Sequence, residues 1–432
     1  MIRIYLTFLG CKLNQAEIET LGRAITSAGH GVVSDPGQAD WAIVNTCAVT
    51  HIAARKSRQL VRRLRARNPM LRVAVIGCYA DTSPVEAADL GVDLVMPNRE
   101  KERVVERILG HVPAEDSLSK GGGRVPGARI RALVKIQDGC DNHCTYCIVR
   151  EARGASRSRA PERVLAEVRR RLDEGHREVI LTGVNIGAYG RDRRDDAPLP
   201  PTAGWSLARL VREILESTVV PRLRLSSVEP WDVTDELLAL WPDSRLCRHL
   251  HLPLQSGCDE TLRRMGRGYT VSRFEETVRA LRERVPDMAI TTDLIVGFPG
   301  ETDDEFEKTT RTVAQLAFSR LHVFRYSPRP GTPAASLPGA VDPRVAKKRS
   351  EALTAIGRRS AEAFYRRLVG DEVEVLFETC ESADSIWSGL TDHYVRVSVP
   401  ARDDLTNTFA MVRCLSADEE GCYGELVEAG NG

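Results

Sequence analysis

Gln137-Asp-Gly-Cys-Asp-Asn-His-Cys-Thr-Tyr-Cys147 is the stretch on which the reading of this chain turns. It sets Cys140, Cys144 and Cys147 in a C-x3-C-x2-C triplet, three thiolates on one short loop with no fourth. Thiolate is a soft ligand suited to iron–sulfur clusters and to zinc, but a structural zinc site or an ordinary electron-transfer cluster takes four protein ligands. Three leave one metal corner open, and an iron with an open corner can bind a small chelating molecule. The alternative is a zinc knuckle completed by His143 or a distant residue, although zinc ligands usually come in two spaced pairs.

Working outward, the triplet follows an apolar run at 131–136 that reads as a strand. Further strands are predicted at 178–182, 222–226, 249–254, 289–296 and 320–326, with helices at 161–174, 207–216, 234–240, 272–284 and 303–317. Six such units make a partial (βα)6 barrel. In βα barrels chemistry gathers at the C-terminal ends of the strands, which is where the triplet falls. A helix at about 343–368 closes the region.

Towards the N-terminus, strands at 2–8, 41–44, 72–76 and 92–96 alternate with helices at 14–28, the run ending at 67, 84–90 and 99–109. Such alternation predicts an α/β fold with a doubly wound parallel sheet. It gives three scattered cysteines one address. Cys11, Cys47 and Cys78 each follow a strand, at the sheet edge where open α/β sheets bind ligands, so residues 36 and 31 positions apart can converge on a second three-thiolate site. Isolated cysteines are more often small buried hydrophobes, and Cys247, Cys258, Cys380, Cys414 and Cys422 are read that way because they lack ligand spacing. Past 368, strand-like runs at 372–377, 393–399, 407–413 and 423–427 are enough for a small C-terminal β-barrel. The predicted organisation is therefore 1–112, a linker at 113–129, a barrel core at 130–368 and a β-barrel at 369–432.

Composition agrees with a multidomain enzyme. The chain has 432 residues, 42% hydrophobic and 28% charged, so it can bury real cores. No stretch approaches the length of an apolar membrane span and the start lacks the order of a signal peptide, so no membrane association and a cytoplasmic location are expected. Eleven cysteines then argue for metal ligands and buried thiols over a disulfide framework. The net charge of +1 hides an asymmetry: 371–432 carry fourteen acids against three Arg, or -11, leaving +12 on 1–370. The basic part has the polyanion partner. Its cations concentrate at 51–67, which includes Arg58, Arg62 and Arg65, with Ile52, Leu60, Val61 and Leu64 as the apolar face, and again at Arg150, Arg153, Arg157, Arg159 and Arg163.

The triplet with Tyr146 resembles the radical S-adenosylmethionine superfamily. Leu181-Thr-Gly-Val-Asn185, Ser226-Ser-Val-Glu-Pro230, His251-Leu-Pro-Leu-Gln-Ser-Gly257, Arg263-Arg-Met-Gly-Arg-Gly-Tyr269 and Asp293-Leu-Ile-Val-Gly-Phe-Pro-Gly-Glu301 look like methylthiotransferases over nearly the whole chain. Gly10-Cys-Lys-Leu-Asn-Gln-Ala-Glu17 with Asn45-Thr-Cys-Ala-Val-Thr50 is most similar to the tRNA threonylcarbamoyladenosine branch. The resemblance implies a C-terminal barrel of the TRAM type, two 4Fe-4S clusters and S-adenosylmethionine. Cys140, Cys144 and Cys147 would hold the catalytic cluster, whose open iron chelates S-adenosylmethionine for reductive cleavage to a 5′-deoxyadenosyl radical. Cys11, Cys47 and Cys78 would hold the second cluster, which presents or supplies sulfur.

The same resemblance implies tRNA as substrate and an electron donor such as flavodoxin or ferredoxin as partner. It makes Gly183, Asn185, Glu229, Gln255 and Gly297 candidates for cofactor contact, and Lys12, Arg153, Arg159, Arg58 and Arg62 candidates for substrate contact, Lys12 or an Arg at 150–159 being the expected partner of the threonyl carboxylate. Ser158 joins Arg153 and Arg159 in a segment that can touch cofactor or RNA, while Arg150 stands where the family has Pro. His393, Tyr394 and Arg396 are either an RNA face of the acidic barrel or ordinary barrel surface. Methylthiolation of isopentenyladenosine or of a ribosomal protein is the alternative within enzymes. An iron–sulfur RNA-binding or redox module is the alternative outside them.

Overall fold

The structure, a computed structural model, describes residues 1–110, 130–192, 202–381 and 385–427, so the expected linker at 113–129 lies outside the described residues. The N-terminal unit is a five-stranded parallel sheet in the order β2-β1-β3-β4-β5, from β1 (Arg3–Phe8), β2 (Gly31–Val33), β3 (Trp41–Thr46), β4 (Arg72–Gly77) and β5 (Leu94–Val95). β3 and β4 are buried on both faces, which is why they read as continuous apolar runs. Helices α1 (Lys12–Ser27) and α5 (Val104–Leu109) contribute to the core over one face, and α2 (His51–Arg67), α3 (Cys78–Thr82) and α4 (Pro84–Ala88) to the other.

The core unit carries the six expected strands. β6 (Ala132–Lys135), β9 (Glu178–Thr182) and β10 (Arg222–Leu225) form one parallel sheet; β11 (His249–His251), β12 (Ala289–Val296) and β13 (Arg320–Arg325) form another. Single bridges at Leu223/Leu246 and Ser227/His251 continue one into the other, giving the partial barrel. A short pair, β7 (Gln137–Asp138) with β8 (Arg157–Ser158), brackets the cysteine loop and α6 (Val149–Arg153). Helices α7 (Pro161–Asp173), α8 (Leu207–Ser217), α9 (Asp235–Leu238), α10 (Asp259–Arg264), α11 (Val271–Arg284) and α12 (Asp303–Leu316) intervene, and α13 (Pro343–Arg366) packs on β13.

Five strands, β14 (Glu372–Glu381), β15 (Ile386–Leu390), β16 (Arg396–Pro400), β17 (Phe409–Ala417) and β18 (Cys422–Leu426), close into a barrel in the order β14-β15-β16-β18-β17. Closure leaves no free strand edge. β15 was not expected, and neither was β2.

Part of the acidity of this barrel is turned on the core. Glu378 takes Arg131 at 2.7 Å, Glu374 takes Arg222 at 2.8 Å and Asp392 takes Arg248 at 2.7 Å. Arg224, fully buried, pairs with Glu178 at 2.7 Å and donates to the carbonyls of Thr391 and Asp392 at 3.0 and 2.8 Å. Tyr394 stacks on His249 with ring centroids 4.8 Å apart, and Lys12, Arg131 and Arg224 surround its ring. His393 is buried as well. His393 and Tyr394, for which an RNA face and ordinary barrel surface were the two readings, lie in a docking seam, and Arg396 bonds Ser388 within the barrel at 2.8 Å.

Candidate active site between two cysteine loops

β1, β3 and β4 are neighbours in the sheet, so Cys11, Cys47 and Cys78, which follow them, stand side by side at its carboxyl edge. One backbone device recurs: Gly10, Gly77 and Gly139 precede Cys11, Cys78 and Cys140 with φ of 99°, 92° and 70°. Such angles suit glycine. A Cβ on Gly10 would lie 2.7 Å from the Cβ of Cys47, and one on Gly139 would strike the carbonyl of Ala155, so side chains are excluded where the cysteine loops draw close.

Burial pushes the Cys47 thiol up to about 11 and the Cys147 thiol up to about 12, and also raises Cys78 and Cys140. These four are protonated at neutral pH when free, so a metal must displace their protons on binding. The surrounding electrostatics favour that exchange. The charge of Arg153 favours the thiolate of Cys78, and Arg267 Nη1 donates to Cys144 Sγ at 3.4 Å. His143 turns both ring nitrogens to Arg150 at 2.6 and 3.1 Å, a poor posture for a zinc ligand.

A buried ion network joins the two loops. Arg153 Nη1 meets Glu17 at 3.0 Å and Asp138 at 2.9 Å, while its Nη2 donates to Asn14 Oδ1 at 2.6 Å. Lys135 bridges the same carboxylates at 3.1 and 2.7 Å, and Lys101 contacts both. Desolvation alone would raise Glu17, but Lys135, Arg153 and Lys101 outweigh it and hold the carboxyl at about 2. Asp138 is lowered for the same reasons. Glu17 belongs to the helix after Cys11, and Asp138 lies two residues before Cys140. The network therefore fixes one cysteine site against the other.

The predicted cofactor positions converge only in part. Gln137 Oε1 accepts from the backbone N–H groups of Val184 and Asn185 at 3.1 and 2.9 Å, and its Nε2 donates to the Gly139 carbonyl at 2.8 Å, tying the β9 loop to the cysteine loop. Beside it, Gly183 has no room for a side chain, since a Cβ would lie 2.9 Å from the Gln137 carbonyl. Asn185 keeps a buried Oδ1 without a partner. Glu229 pairs with Arg267, which also stacks on Trp231 and Tyr269. Gln255 holds a φ of 65°, strain of the kind that collects at functional sites. At Gly297 the side-chain direction is filled by Ala346 of α13 at 2.7 Å, so packing accounts for that glycine. Gln137 and Arg267 had no predicted role, although both lie in the quoted motifs. Also unforeseen, ligand atoms of His251, Asp293 and His322 lie within 4.8 Å of one another on β11, β12 and β13.

Three of the predicted substrate contacts have partners within the protein. Arg153 is buried in the ion network, Lys12 points its ammonium at Tyr394 (5.1 Å to the ring centroid), and Arg159 is drawn to Glu167 at 3.9 Å. Arg153 and Lys12 are engaged inside the protein, whereas the Arg159 side chain stays 37% exposed. Ser158 is held by Asp192 at 2.6 Å. Arg58 and Arg62 do line an open cavity of about 590 Å³ with His51, Tyr79, Ile148 and Arg329. Arg58, Arg65 and Arg67 pair with Glu86, Asp93 and Asp35, whereas Arg55, Lys56, Arg62 and Arg63 have no ion pair among the described residues. Ile52, expected to face inward, is 51% exposed, and Val49 is 47% exposed. Arg329 was missed because it stands alone among prolines, with no basic run to mark it.

A partial (βα)6 barrel with a three-thiolate loop after its first strand defines a radical S-adenosylmethionine enzyme. Residues 134–313 match the Radical SAM superfamily, and residues 3–96 match the family described as Uncharacterized protein family UPF0004. The chain is 39% identical to the threonylcarbamoyladenosine tRNA methylthiotransferase MtaB of Thermotoga maritima, over 97% of this chain and 96% of that one. It is 35% identical to MtaB of Bacillus subtilis over the same shares, and 34% identical to the tRNA-2-methylthio-N(6)-dimethylallyladenosine synthase of Moorella thermoacetica over 97% of both chains. The solved structure of the radical S-adenosylmethionine methyltransferase TsrM from Kitasatospora setae shares the fold, with a TM-score of 0.55, 16% identity and 77% of each chain covered. The chain belongs to the radical S-adenosylmethionine methylthiotransferase family, in its threonylcarbamoyladenosine tRNA branch.

Membership implies 4Fe-4S clusters and S-adenosylmethionine as cofactors, and the residues present fit them. The donors are soft sulfur in sets of three, cations adjoin them, and the orphaned Asn185 Oδ1 offers a buried acceptor. No described helix is long and apolar enough to cross a membrane.

Proposed function

We propose that the protein methylthiolates carbon 2 of N6-threonylcarbamoyladenosine next to the anticodon of tRNA. The observation that carries this reading is the Glu17–Arg153–Asp138 bridge, which locks the edge bearing Cys11, Cys47 and Cys78 against the loop bearing Cys140, Cys144 and Cys147. Residues 1–112, 130–368 and 369–432 act as sulfur-presenting, radical and docking units. The target is an aromatic C–H, neither acidic nor displaceable by a positioned base. When bound, the two clusters and S-adenosylmethionine supply the one-electron chemistry, sulfur and methyl group that such a bond demands.

The chain's own residues hold, orient and exclude. Cys140, Cys144 and Cys147 hold one cluster, and Cys11, Cys47 and Cys78 the other. Gln137 and Asn185 set the floor for S-adenosylmethionine, with Glu229, Gln255 and Gly183 near it, and Arg267 beside Cys144 balances thiolate charge. Exposed Arg55, Lys56, Arg62 and Arg63 attract tRNA phosphates. The base must leave its stack, which costs a few kcal/mol, and the exposed Val49 and Ile52 offer it an apolar lip. The enzyme works in the cytoplasm with a flavodoxin or ferredoxin as reductant.

Anaerobic reconstitution tests the assignment. The wild type should hold about eight irons, four per cluster. Replacing Cys140, Cys144 and Cys147 with Ala should leave about four and abolish 5′-deoxyadenosine formation. Replacing Cys11, Cys47 and Cys78 should also leave about four, retain cleavage of S-adenosylmethionine and stop thiomethylation. A wild type with the iron of one cluster refutes the reading.

A further inference from the structure

The cavity beside the cysteine loops contains a cation that the fold does not use. Its walls come from the start of α2 just after Cys47, from Tyr79 next to Cys78, from Ile148 next to Cys147 and from the loop after β13. That loop is tied to α2 by the His51 N–H, which donates to Ser327 Oγ at 3.2 Å. Two residues on, Arg329 is 6% exposed, and its buried Nε has no hydrogen-bond partner. Among the described residues its guanidinium makes no ion pair; only its carbonyl is engaged, by Thr332. Its neighbour Arg58 is already committed to Glu86 at 3.5 Å and to the Tyr79 ring at 5.8 Å.

Burying a charge without a partner is unfavourable, and an unpaired guanidinium at the wall of an open cavity can recover that cost by taking an anion from outside. A guanidinium presents a planar fork that matches a carboxylate in two parallel hydrogen bonds. Backbone phosphates stay on the outside of a folded RNA, where Arg55, Lys56, Arg62 and Arg63 already face solvent. The anion that enters between the cysteine loops must travel with the base itself. On the proposed substrate, the anion attached to the base is the carboxylate of the threonyl group on N6.

We infer that Arg329 is a specificity-determining residue whose guanidinium binds the threonyl carboxylate in the cavity between the two cysteine loops. This rests on the threonylcarbamoyladenosine reading and moves the carboxylate contact from Lys12 and Arg153, which are engaged elsewhere, to a residue of the loop after β13.

The test uses reconstituted holoenzyme and two anticodon stem-loops, one with the natural threonylcarbamoyl group and one with its neutral threonine carboxamide. Wild type should prefer the carboxylate by about 100-fold in kcat/KM and in binding. Arg329→Gln should close that gap to a few-fold, through loss on the carboxylate stem-loop alone, and Arg329→Lys should restore part of it. Iron content and melting temperature confirm that both variants are folded and loaded. Three results overturn the inference. Arg329→Gln keeping the full gap means another group reads the carboxylate. Equal weakening on both stem-loops with a shallower salt dependence means Arg329 holds a phosphate. An intact gap with lost iron or an altered cluster paramagnetic resonance signal means it serves the cluster. A wild type that turns over an isopentenyladenosine stem-loop instead refutes the substrate reading, an outcome separate from all three.

Discussion

At the seam between core and barrel, Arg131, Arg222, Arg224 and Arg248 each meet a carboxylate within 2.8 Å, whereas at the cavity between the cysteine loops Arg329 meets none and Arg62 faces solvent. The two regions draw on one excess of positive charge in residues 1–370. At the seam Arg131, Arg222 and Arg248 are matched by Glu378, Glu374 and Asp392 of the last domain and Arg224 by Glu178 of the core itself, so part of the acidic charge of 371–432 serves as an adhesive surface toward the core. At the cavity the positive charge is left unmatched. Matched arginines hold the molecule together; unmatched ones await a ligand.

The largest contrast should appear in stability. Arg224→Met leaves buried Glu178 with only the longer contacts to Arg222 and Arg131, 3.7 and 4.0 Å, and should cost about 3 kcal/mol in denaturant unfolding. Arg329→Met should cost less than about 1 kcal/mol or stabilise, because it removes a buried unpaired charge. Equal losses for the two variants would break the comparison.

Next in size is RNA binding. Reversing Arg55, Arg62 and Arg63 to Glu should weaken tRNA binding and lower the slope of log K against log salt by about 0.9 or less for each lost phosphate contact. Formation of 5′-deoxyadenosine without RNA should not change. Parental affinity at low salt would make α2 a solvated face only.

The subtlest effect is the pH response of the seam. Burial alone would raise Tyr394, but Lys12, Arg131 and Arg224 outweigh it and hold the phenol down at about 8, below its ordinary value of 10.0. Between those limits the unfolded chain binds more protons than the folded one, so stability rises with pH from about 8 to 10 and the gain is lost as pH falls through about 8. Tyrosinate absorbance should show one group titrating near pH 8 in wild type and none there in Tyr394→Phe.

Much of this arrangement is legible in the sequence, and what is not has physical causes. The cysteines after β1, β3, β4 and β6 are marked by apolar runs that end in Gly- or Asn-bearing turns. β15 escaped because Ile386-Trp-Ser-Gly-Leu390 carries a glycine at mid-strand. That glycine is required by the approach of the Leu376 carbonyl, a contact made across the barrel and invisible locally. β2 is three residues long and half-buried. Charge patterning located cations but not their partners. Arg153 and Lys12 look free in a linear reading, yet their partners lie in distant segments, Glu17 being 136 residues from Arg153. Arg329 shows the converse, a lone cation whose importance comes from burial.

The account's central claim is that two facing cysteine sites act on one modified adenine of tRNA. Mass spectrometry of nucleosides from reconstituted enzyme given equal amounts of threonylcarbamoyladenosine and isopentenyladenosine stem-loops tests it most directly. The account predicts 2-methylthio-N6-threonylcarbamoyladenosine as the product, with stem-loops lacking the threonylcarbamoyl group left unchanged. Methylthiolation of the isopentenyladenosine stem-loop alone, or equal turnover of the unmodified one, would contradict it.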